Sequence, residues 1–289
     1  MSLRQRADGP NVCFIPITEY RSFWDFLRKM LRVLFDCIKA TRGNGCYLLR
    51  MGNISTFCWL WLFMGARPYA LEAVGHAGES VLTVKNVKVF GLNRLIAFVG
   101  HALAKIEAKF ACCASYVSKY VQGLYPTRNH NCEWVFSSVN IDEQVITAPK
   151  TAKQFQGKSF HVISVGRLEP EKGHLVLVKA IEQLIQRGYD LYATIIGPGT
   201  EIDNLQSYVE KMGLNRKVNI CGLIPLGREL FAKLDEADLF ILPSFSEGMP
   251  RALIEAMARG LPAVGSDVGG LKSKSIACHR GTAKLWRIR

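Results

Sequence analysis

Two carboxylates bracket a single loop in the stretch from residue 238 to residue 266. Glu247 precedes a predicted helix, and Glu255 lies on that helix eight positions further along the chain. Gly248 lets a backbone approach a ligand closely, and the free N–H groups at the start of a helix attract an anion. The spacing therefore predicts a ligand site that combines two acids with an anion-binding helix end.

The elements around this loop predict where it lies in a sheet. Residues 238–242 form an apolar run that ends at Pro243, and Pro250 suits the first position of a helix. Gly260 ends the helix, and residues 262–266 return as a second apolar strand. This is a βαβ crossover whose loop lies at the carboxyl end of a parallel strand, where open α/β sheets bind ligands.

A second loop carries two cations that could hold an anion. In the turn V-G-R-L-E-P-E-K-G, Arg167 follows a predicted strand and Lys172 stands just before the next helix. The helix dipole disfavours a cation there unless an anion lies between the cation and the helix, and a diphosphate fits. The alternative is a solvated turn with two ordinary surface cations.

Both loops resemble motifs of one enzyme family. Glu247, Gly248, Pro250 and Glu255, followed by Ala256 and by residues 260–262, resemble the E-x7-E signature of retaining glycosyltransferases of family 4, which have the GT-B fold. The string G-R-L-x-P-x-K-G closely resembles the family motif that holds the donor diphosphate. The chance alternative is two acids on a solvated helix face.

The resemblance implies a role for each matched position. Arg167 and Lys172 would hold the donor diphosphate, Glu247 would bind hydroxyl groups of the donor sugar, and Glu255 would bind the ribose hydroxyls. The main chain of Gly248, Met249 and Pro250 would approach sugar and phosphate, and the backbone at Gly222 and Leu223 would seat the base. His76 is a candidate to face the donor sugar, with an ordinary structural histidine as the alternative.

The resemblance also implies a domain organisation: an α/β fold of the GT-B type, with two Rossmann-like domains facing a cleft. Alternating strands and helices favour parallel sheets with covered faces. The expected parts are a partial N-terminal acceptor-side domain, a linker, a nucleotide-sugar-binding domain and an atypical basic tail, at residues 11–141, 142–159, 160–271 and 272–289. A candidate strand at residues 12–17 opens the first domain. Because the family pattern is incomplete at both ends, we expect a truncated chain, and a frameshift after Leu271 is one explanation.

The first predicted helix has two interpretations. Between Phe23 and Ile38 the apolar residues recur at helical spacing, and basic residues cover much of the remaining surface. It is either a core-facing helix with a solvated basic side, which the ordinary pattern of surface helices favours, or an interfacial helix that meets a lipid-linked acceptor.

Composition narrows the possible partners and location. The formal net charge is +13, but six of the basic residues lie in the tail and no nucleic-acid-binding signature accompanies them, so specific nucleic-acid binding is not expected. The nine cysteines lack paired C-x-x-C spacing, and neither a D-x-D motif nor helical histidine spacing indicates a metal, so we expect no cofactor. We expect a cytoplasmic location with possible peripheral membrane contact, because the start lacks an apolar signal segment and the run at residues 56–66 is about half the ~20 residues that a spanning helix needs.

Together these features favour a retaining, metal-independent glycosyltransferase. It would move a sugar from a nucleotide-sugar donor to a hydroxyl of a sugar, glycolipid or polysaccharide acceptor. Two alternatives remain open: a truncated, inactive nucleotide-binding remnant, and another GT-B enzyme such as a nucleotide-sugar epimerase.

Overall fold

The computed structural model describes residues 15–20, 23–43, 45–75, 90–136, 141–150, 159–272 and 285–288. In these segments every strand pair is parallel, and the strands form one sheet of four and one of six. Helices alternate with the strands along the chain. The predicted α/β fold with parallel sheets is confirmed.

The N-terminal sheet follows the order of the chain. Its strands are β1 (Tyr47–Arg50), β2 (Tyr69–Ala73), β3 (Cys113–Tyr116) and β4 (Glu133–Val135). The helices described in this part are α1 (Phe23–Ala40), α2 (Asn53–Met64), α3 (Phe90–Phe110) and α4 (Lys119–Leu124). Tyr69, Leu71 and Ala73 are buried at alternate positions of β2, as the two-residue period of a strand requires. They share one core with α1, α2 and α3.

Two N-terminal features differ from the sequence-based expectation. Residues 15–17 belong to no strand, and residues 12–14 of the expected strand lie outside the described residues. In α1, Val33 and Cys37 are buried, but Leu31 and Phe35 are 76% and 60% exposed. The core-facing interpretation of this helix therefore accounts for only one of its apolar sides.

The C-terminal sheet has the order β10-β9-β8-β5-β6-β7. Its strands are β5 (Phe160–Val165), β6 (Leu191–Ile196), β7 (Val218–Cys221), β8 (Leu239–Leu242), β9 (Ala263–Ser266) and β10 (Leu285–Ile288). The described connecting helices are α5 (His174–Gln186), α6 (Ile202–Lys211), α7 (Arg228–Glu236) and α8 (Arg251–Ala258). Val162 and Ile163 are neighbours on β5 but belong to different buried clusters, so helices cover both faces of the sheet.

The order of this sheet reverses at β5, which pairs with β6 on one side and with β8 on the other. Loops after two such neighbouring strands lead to opposite faces of the sheet and leave a crevice between them. The loops that follow β5 and β8 are those that carry the predicted cations and acids. The topology therefore explains why residues 75 or more positions apart in sequence come together.

Part of the segment expected to be an atypical tail lies in the sheet. Strand β10 pairs in parallel with β9, so that Leu285 lies opposite Ala263 and Ile288 lies opposite Ser266. Residues 273–284 and 289 lie outside the described residues. The sequence did not predict this strand, because a four-residue strand has too short a pattern to be recognised without its partner.

The first part of the predicted linker packs against the C-terminal domain. The N–H of Thr147 donates to the carbonyl of Ala258 at 2.8 Å, and the N–H of Lys150 donates to the carbonyl of Gly260 at 2.9 Å. Gly260 has φ +66°, and a Cβ there would lie 2.2 Å from the carbonyl oxygen of Ala148. Only glycine fits this position. The linker therefore packs directly against the backbone at the end of α8.

Candidate functional site

A cleft of about 420 Å³ lies at the carboxyl ends of β5 and β8. It brings together three segments that are far apart in sequence: the loop after β5, the segment after β7, and the loop after β8 with the first turns of α8. Seven predicted site residues border it, namely Arg167, Lys172, Leu223, Glu247, Met249, Pro250 and Glu255.

The loop after β5 is fixed against the loop after β8 by a glycine. Residues 170–172 form a single 3-10 turn that leads to Gly173, whose φ is +68°. A Cβ at Gly173 would lie 2.2 Å from the carbonyl oxygen of Pro243, so a side chain is excluded. This contact holds Lys172 at the side of the cleft that faces Glu247.

Lys172 and Glu247 form a largely buried ion pair across the two loops. Nζ of Lys172 lies 2.8 Å from Oε1 of Glu247, and the side chains are 18% and 7% exposed. Oγ of Ser244 donates a second hydrogen bond to the same carboxylate oxygen at 2.6 Å. The two donors fix the Glu247 carboxylate at the wall of the cleft, and Lys172 adds positive charge there.

Arg167 is more exposed than Lys172. Its side chain is 64% exposed, and it pairs with Glu171 of the same loop at 3.0 Å. The two residues are close together in the sequence and the ion pair is exposed to solvent, so it contributes little to stability. The guanidinium group remains within reach of a ligand in the cleft, with the geometry that binds phosphate oxygens in pairs.

Glu255 is a buried acid on the inner side of α8. It is 7% exposed, and no residue in the described part of the chain gives its carboxylate a hydrogen bond or an ion pair. Burial raises its pKa, and the charge of Arg251 partly opposes that rise. A buried carboxylate that borders a cleft without a protein donor is suited to accept hydrogen bonds from ligand hydroxyl groups.

The loop after β8 also touches the N-terminal domain. A Cβ at Gly248 would lie 2.3 Å from the carbonyl oxygen of Val74, next to the end of β2. Met249 packs against the hydrophobic core of that domain. Gly248 therefore allows the two domains to approach each other directly beside Glu247.

The remaining predicted site residues have different outcomes. Leu223 is 70% exposed and borders the cleft, as Ile224 does. Gly222 does not border the cleft, and its carbonyl accepts a hydrogen bond from the N–H of Gly197 at 3.1 Å. His76 lies outside the described residues, although Val74 and Gly75 just before it lie beside Gly248.

Sequence reasoning missed three polar residues of the cleft, Ser244, Arg251 and His174. Ser244 holds Glu247, and His174 borders the cleft at the start of α5. The sequence offered one signal for His174, since it follows Lys172-Gly173 directly in the anion-binding motif. Nothing in the spacing of Ser244 indicates its hydrogen bond.

Within the described segments, no group of three or more His, Cys, Asp or Glu side chains is placed to hold a metal ion. No helix in those segments combines the length and apolar character that crossing a membrane requires.

A comparison with protein families assigns the region that contains this cleft. Residues 146–282 match the family Glycosyl transferases group 1. The match covers just under half of the chain. The matched segment includes the loop with Arg167 and Lys172 and the loop with Glu247. It begins within the predicted linker and continues beyond Leu271, where the sequence resemblance was expected to end.

Individual relatives differ in how much of their length the alignment covers. Protein CapJ of Staphylococcus aureus is 25% identical over 272 residues, which are 92% of this chain and 66% of CapJ. The amylovoran biosynthesis glycosyltransferase AmsK of Erwinia amylovora is 40% identical over 116 residues, which are 38% of this chain and 28% of AmsK. The chain thus spans about two thirds of CapJ, and its match to AmsK spans less than a third of that enzyme.

Solved structures show the same fold. The crystal structure of Anabaena HepE in complex with UDP superposes with a TM-score of 0.55 at 19% identity, covering 90% of this chain and 69% of HepE. At this identity the likeness concerns the fold, which matches that of GT-B glycosyltransferases.

Proposed function

We propose that this chain transfers a sugar from a nucleotide-sugar donor to an acceptor hydroxyl, with retention of the anomeric configuration, as in glycosyltransferases of family 4. The observation that carries the proposal is the convergence of Arg167, Lys172, Glu247 and Glu255 on one cleft from separate loops. The group 1 match and the GT-B fold agree with this chemistry, and HepE, which has this fold, binds UDP.

The proposed roles follow from charge and burial. Arg167 and Lys172 neutralise the diphosphate of the donor, and Glu255 accepts hydrogen bonds from the ribose hydroxyls. Glu247, which Ser244 and Lys172 hold in place, binds hydroxyls of the donor sugar. The base lies near the backbone of Leu223 and Ile224. Fixed donors that face the leaving diphosphate stabilise the charge that develops there in the transition state, and no metal is required.

We further propose an acceptor in polysaccharide or glycolipid assembly, with the chain at the cytoplasmic face of a membrane. AmsK is a glycosyltransferase of amylovoran biosynthesis, which supports a polysaccharide product. Leu27, Leu31 and Phe35 form an exposed apolar row on α1, and Arg28 and Arg32 lie beside it. Such a helix suits an anionic bilayer surface. Sedimentation with anionic vesicles tests this contact, which Leu31→Glu with Phe35→Glu should abolish.

The test of the function is product analysis with UDP-, GDP- and ADP-sugars and simple acceptors. The proposal predicts transfer from one donor, an α product from an α donor, and at least about a tenfold loss of turnover in Lys172→Ala, because charged hydrogen bonds contribute about 1.5 to 3 kcal/mol. Conversion of the donor to its epimer without an acceptor would favour the epimerase. Nucleotide binding without any product would favour the inactive remnant.

A further inference from the structure

His174 borders the cleft but has no part in the roles assigned so far. It is the first residue of α5, directly after the Lys172-Gly173 pair, and its side chain is only 4% exposed. Lys172, Glu247 and Gly166 border the same cleft. His174 therefore lies at a buried part of the cleft wall, close to Lys172 in the chain.

The ring is held with one nitrogen sealed inside the protein. Its Cε1 atom lies 3.9 Å from the position of a Cβ on Gly166, at the end of β5. Nδ1 is buried and has no hydrogen-bond partner, and in the described part of the chain Nε2 has none either. Nε2 is less completely buried than Nδ1, and His174 borders the cleft, so Nε2 is the ring nitrogen that is open to a ligand.

The protonation state decides what this ring can offer. Burial lowers the pKa of His174 to about 4, and the charge of Lys172 acts in the same direction. The imidazole is therefore neutral near pH 7 and carries one N–H. An N–H on the buried Nδ1 would lack an acceptor whether or not a ligand is bound. An N–H on Nε2 can donate to a ligand. The Nε2–H tautomer is therefore favoured.

The main chain beside His174 also offers donors. The N–H groups of Val176 and Leu177 donate to the carbonyl of Gly173, as the start of a helix requires. In the described structure the N–H groups of His174 and Leu175 have no acceptor, because they lie in the first turn of α5, where no helical carbonyl precedes them. Of these two residues His174 borders the cleft, so an anion at the N–H of His174 would lie beside the imidazole of the same residue.

We propose that His174 donates a hydrogen bond from Nε2 to the diphosphate of the bound nucleotide, as a neutral partner beside Arg167 and Lys172. The inference rests on the proposed function, since it concerns the same donor. A neutral donor suits this place, because a further cation at the start of a helix would oppose the helix dipole. The two cations thus supply positive charge, and His174 supplies a hydrogen bond that orients the diphosphate.

The test compares two replacements in the full chain. His174→Leu fills the space without an N–H, whereas His174→Gln carries an amide nitrogen that can reach the place of Nε2. Titration calorimetry with UDP and with uridine measures both, beside wild type and Lys172→Ala. If the wild-type chain binds another nucleoside diphosphate more tightly than UDP, that nucleotide and its nucleoside are used in place of UDP and uridine.

We expect His174→Leu to weaken nucleoside diphosphate binding by about tenfold, the loss typical of one hydrogen bond to a charged group, and to leave nucleoside binding unchanged. His174→Gln should recover affinity to within about threefold of wild type. As an independent measurement, nitrogen NMR of histidine-labelled wild type should show the neutral Nε2–H tautomer and a shift of its Nε2 signal when the nucleotide binds.

Three outcomes would overturn the inference. The first is that a folded His174→Leu variant binds the nucleoside diphosphate with wild-type affinity while Lys172→Ala binds it more weakly. The second is that His174→Gln loses as much affinity as His174→Leu, which would indicate that the packing of the ring matters and its N–H does not. The third is a proton on Nδ1 in the NMR spectrum. Failure of wild type to bind any nucleoside diphosphate would instead remove the proposed function, and this inference with it.

Discussion

At the scale of single residues, four of the five charged groups of the cleft were predictable, whereas Arg251 and the neutral Ser244 and His174 were not. Arg167, Lys172, Glu247 and Glu255 stand in local motifs whose spacing is visible in the sequence, and all four border the cleft. Ser244 acts only because its loop turns back towards Glu247. His174 matters through a buried ring nitrogen, which spacing does not reveal.

Glu107 on α3 should make stability depend on pH. It is fully buried, and within the described segments neither carboxylate oxygen has a hydrogen-bond partner. Burial raises its pKa to about 7, and the nearby Ser55 only partly opposes this. Folding therefore favours the protonated acid, because the folded-state pKa lies above the ordinary value of 4.5. Its contribution to stability is complete below pH 4.5 and is lost as the pH rises through about 7.

Urea unfolding of Glu107→Gln at several pH values measures this effect. The variant should gain about 3 kcal/mol relative to wild type between about pH 5 and pH 8, because Gln carries no charge to bury. The exposed Glu210→Gln serves as the control. Equal slopes of stability against pH in wild type and Glu107→Gln would contradict the assignment.

At the scale of elements, periodic segments were predicted within a few residues of their ends. The sequence predicts a strand at residues 191–196 and a helix at residues 175–186, and the structure has β6 at Leu191–Ile196 and α5 at His174–Gln186. Strand β10 and the helical state of residues 57–64 in α2 were missed. The former depends on a non-local partner, and the latter is an apolar run whose length alone does not separate helix from strand.

Gly248 should be required for the approach of β2 to the loop after β8. In Gly248→Ala the new Cβ would lie 2.3 Å from the carbonyl oxygen of Val74, so the two elements must separate. We expect little change in thermal stability, faster hydrogen exchange in residues 69–75, and turnover reduced by tenfold or more, because a displacement of about 1 Å can cost about 100-fold.

Gly222→Ala is the matched control for this change. A Cβ at Gly222 meets no atom within 4 Å, although the residue lies next to the cleft residue Leu223. Its exchange and turnover should equal those of wild type. The same hydrogen exchange in residues 69–75 for Gly248→Ala and wild type would show that the contact does not hold the domains together.

At the scale of the whole molecule, the contacts between the parts were less predictable than the parts themselves. The sequence indicated two α/β domains with a polar connection, and the truncation expected at both ends stays a prediction. The packing of residues 147–150 on α8 and the contact of Gly248 with Val74 depend on backbone atoms of distant segments. Backbone contacts leave little pattern in a sequence beyond the glycines that permit them.

Arg259 should stabilise the packing of the linker against the C-terminal domain. Its guanidinium group donates to both carboxylate oxygens of Asp235 on α7, at 2.8 and 2.5 Å, and to the carbonyl of Val145 at 2.7 Å. Arg259→Leu should lower the free energy of unfolding by about 1 to 2 kcal/mol and speed hydrogen exchange in residues 145–150. Lys233→Leu, which removes an exposed pair with Glu236, is the control and should leave that segment unchanged. Unaltered exchange in Arg259→Leu would mean that other contacts hold the linker.

The central claim is that one cleft binds a nucleoside diphosphate through Lys172 and Glu255. The most direct measurement is calorimetric titration of the full chain with UDP, GDP and ADP, repeated on Lys172→Ala and Glu255→Ala. We expect saturable binding of one nucleotide, weakened about tenfold or more in each folded variant, because each loses a hydrogen bond to a charged group. A folded wild-type chain that binds none of the three, or binding that both variants retain in full, would contradict the claim.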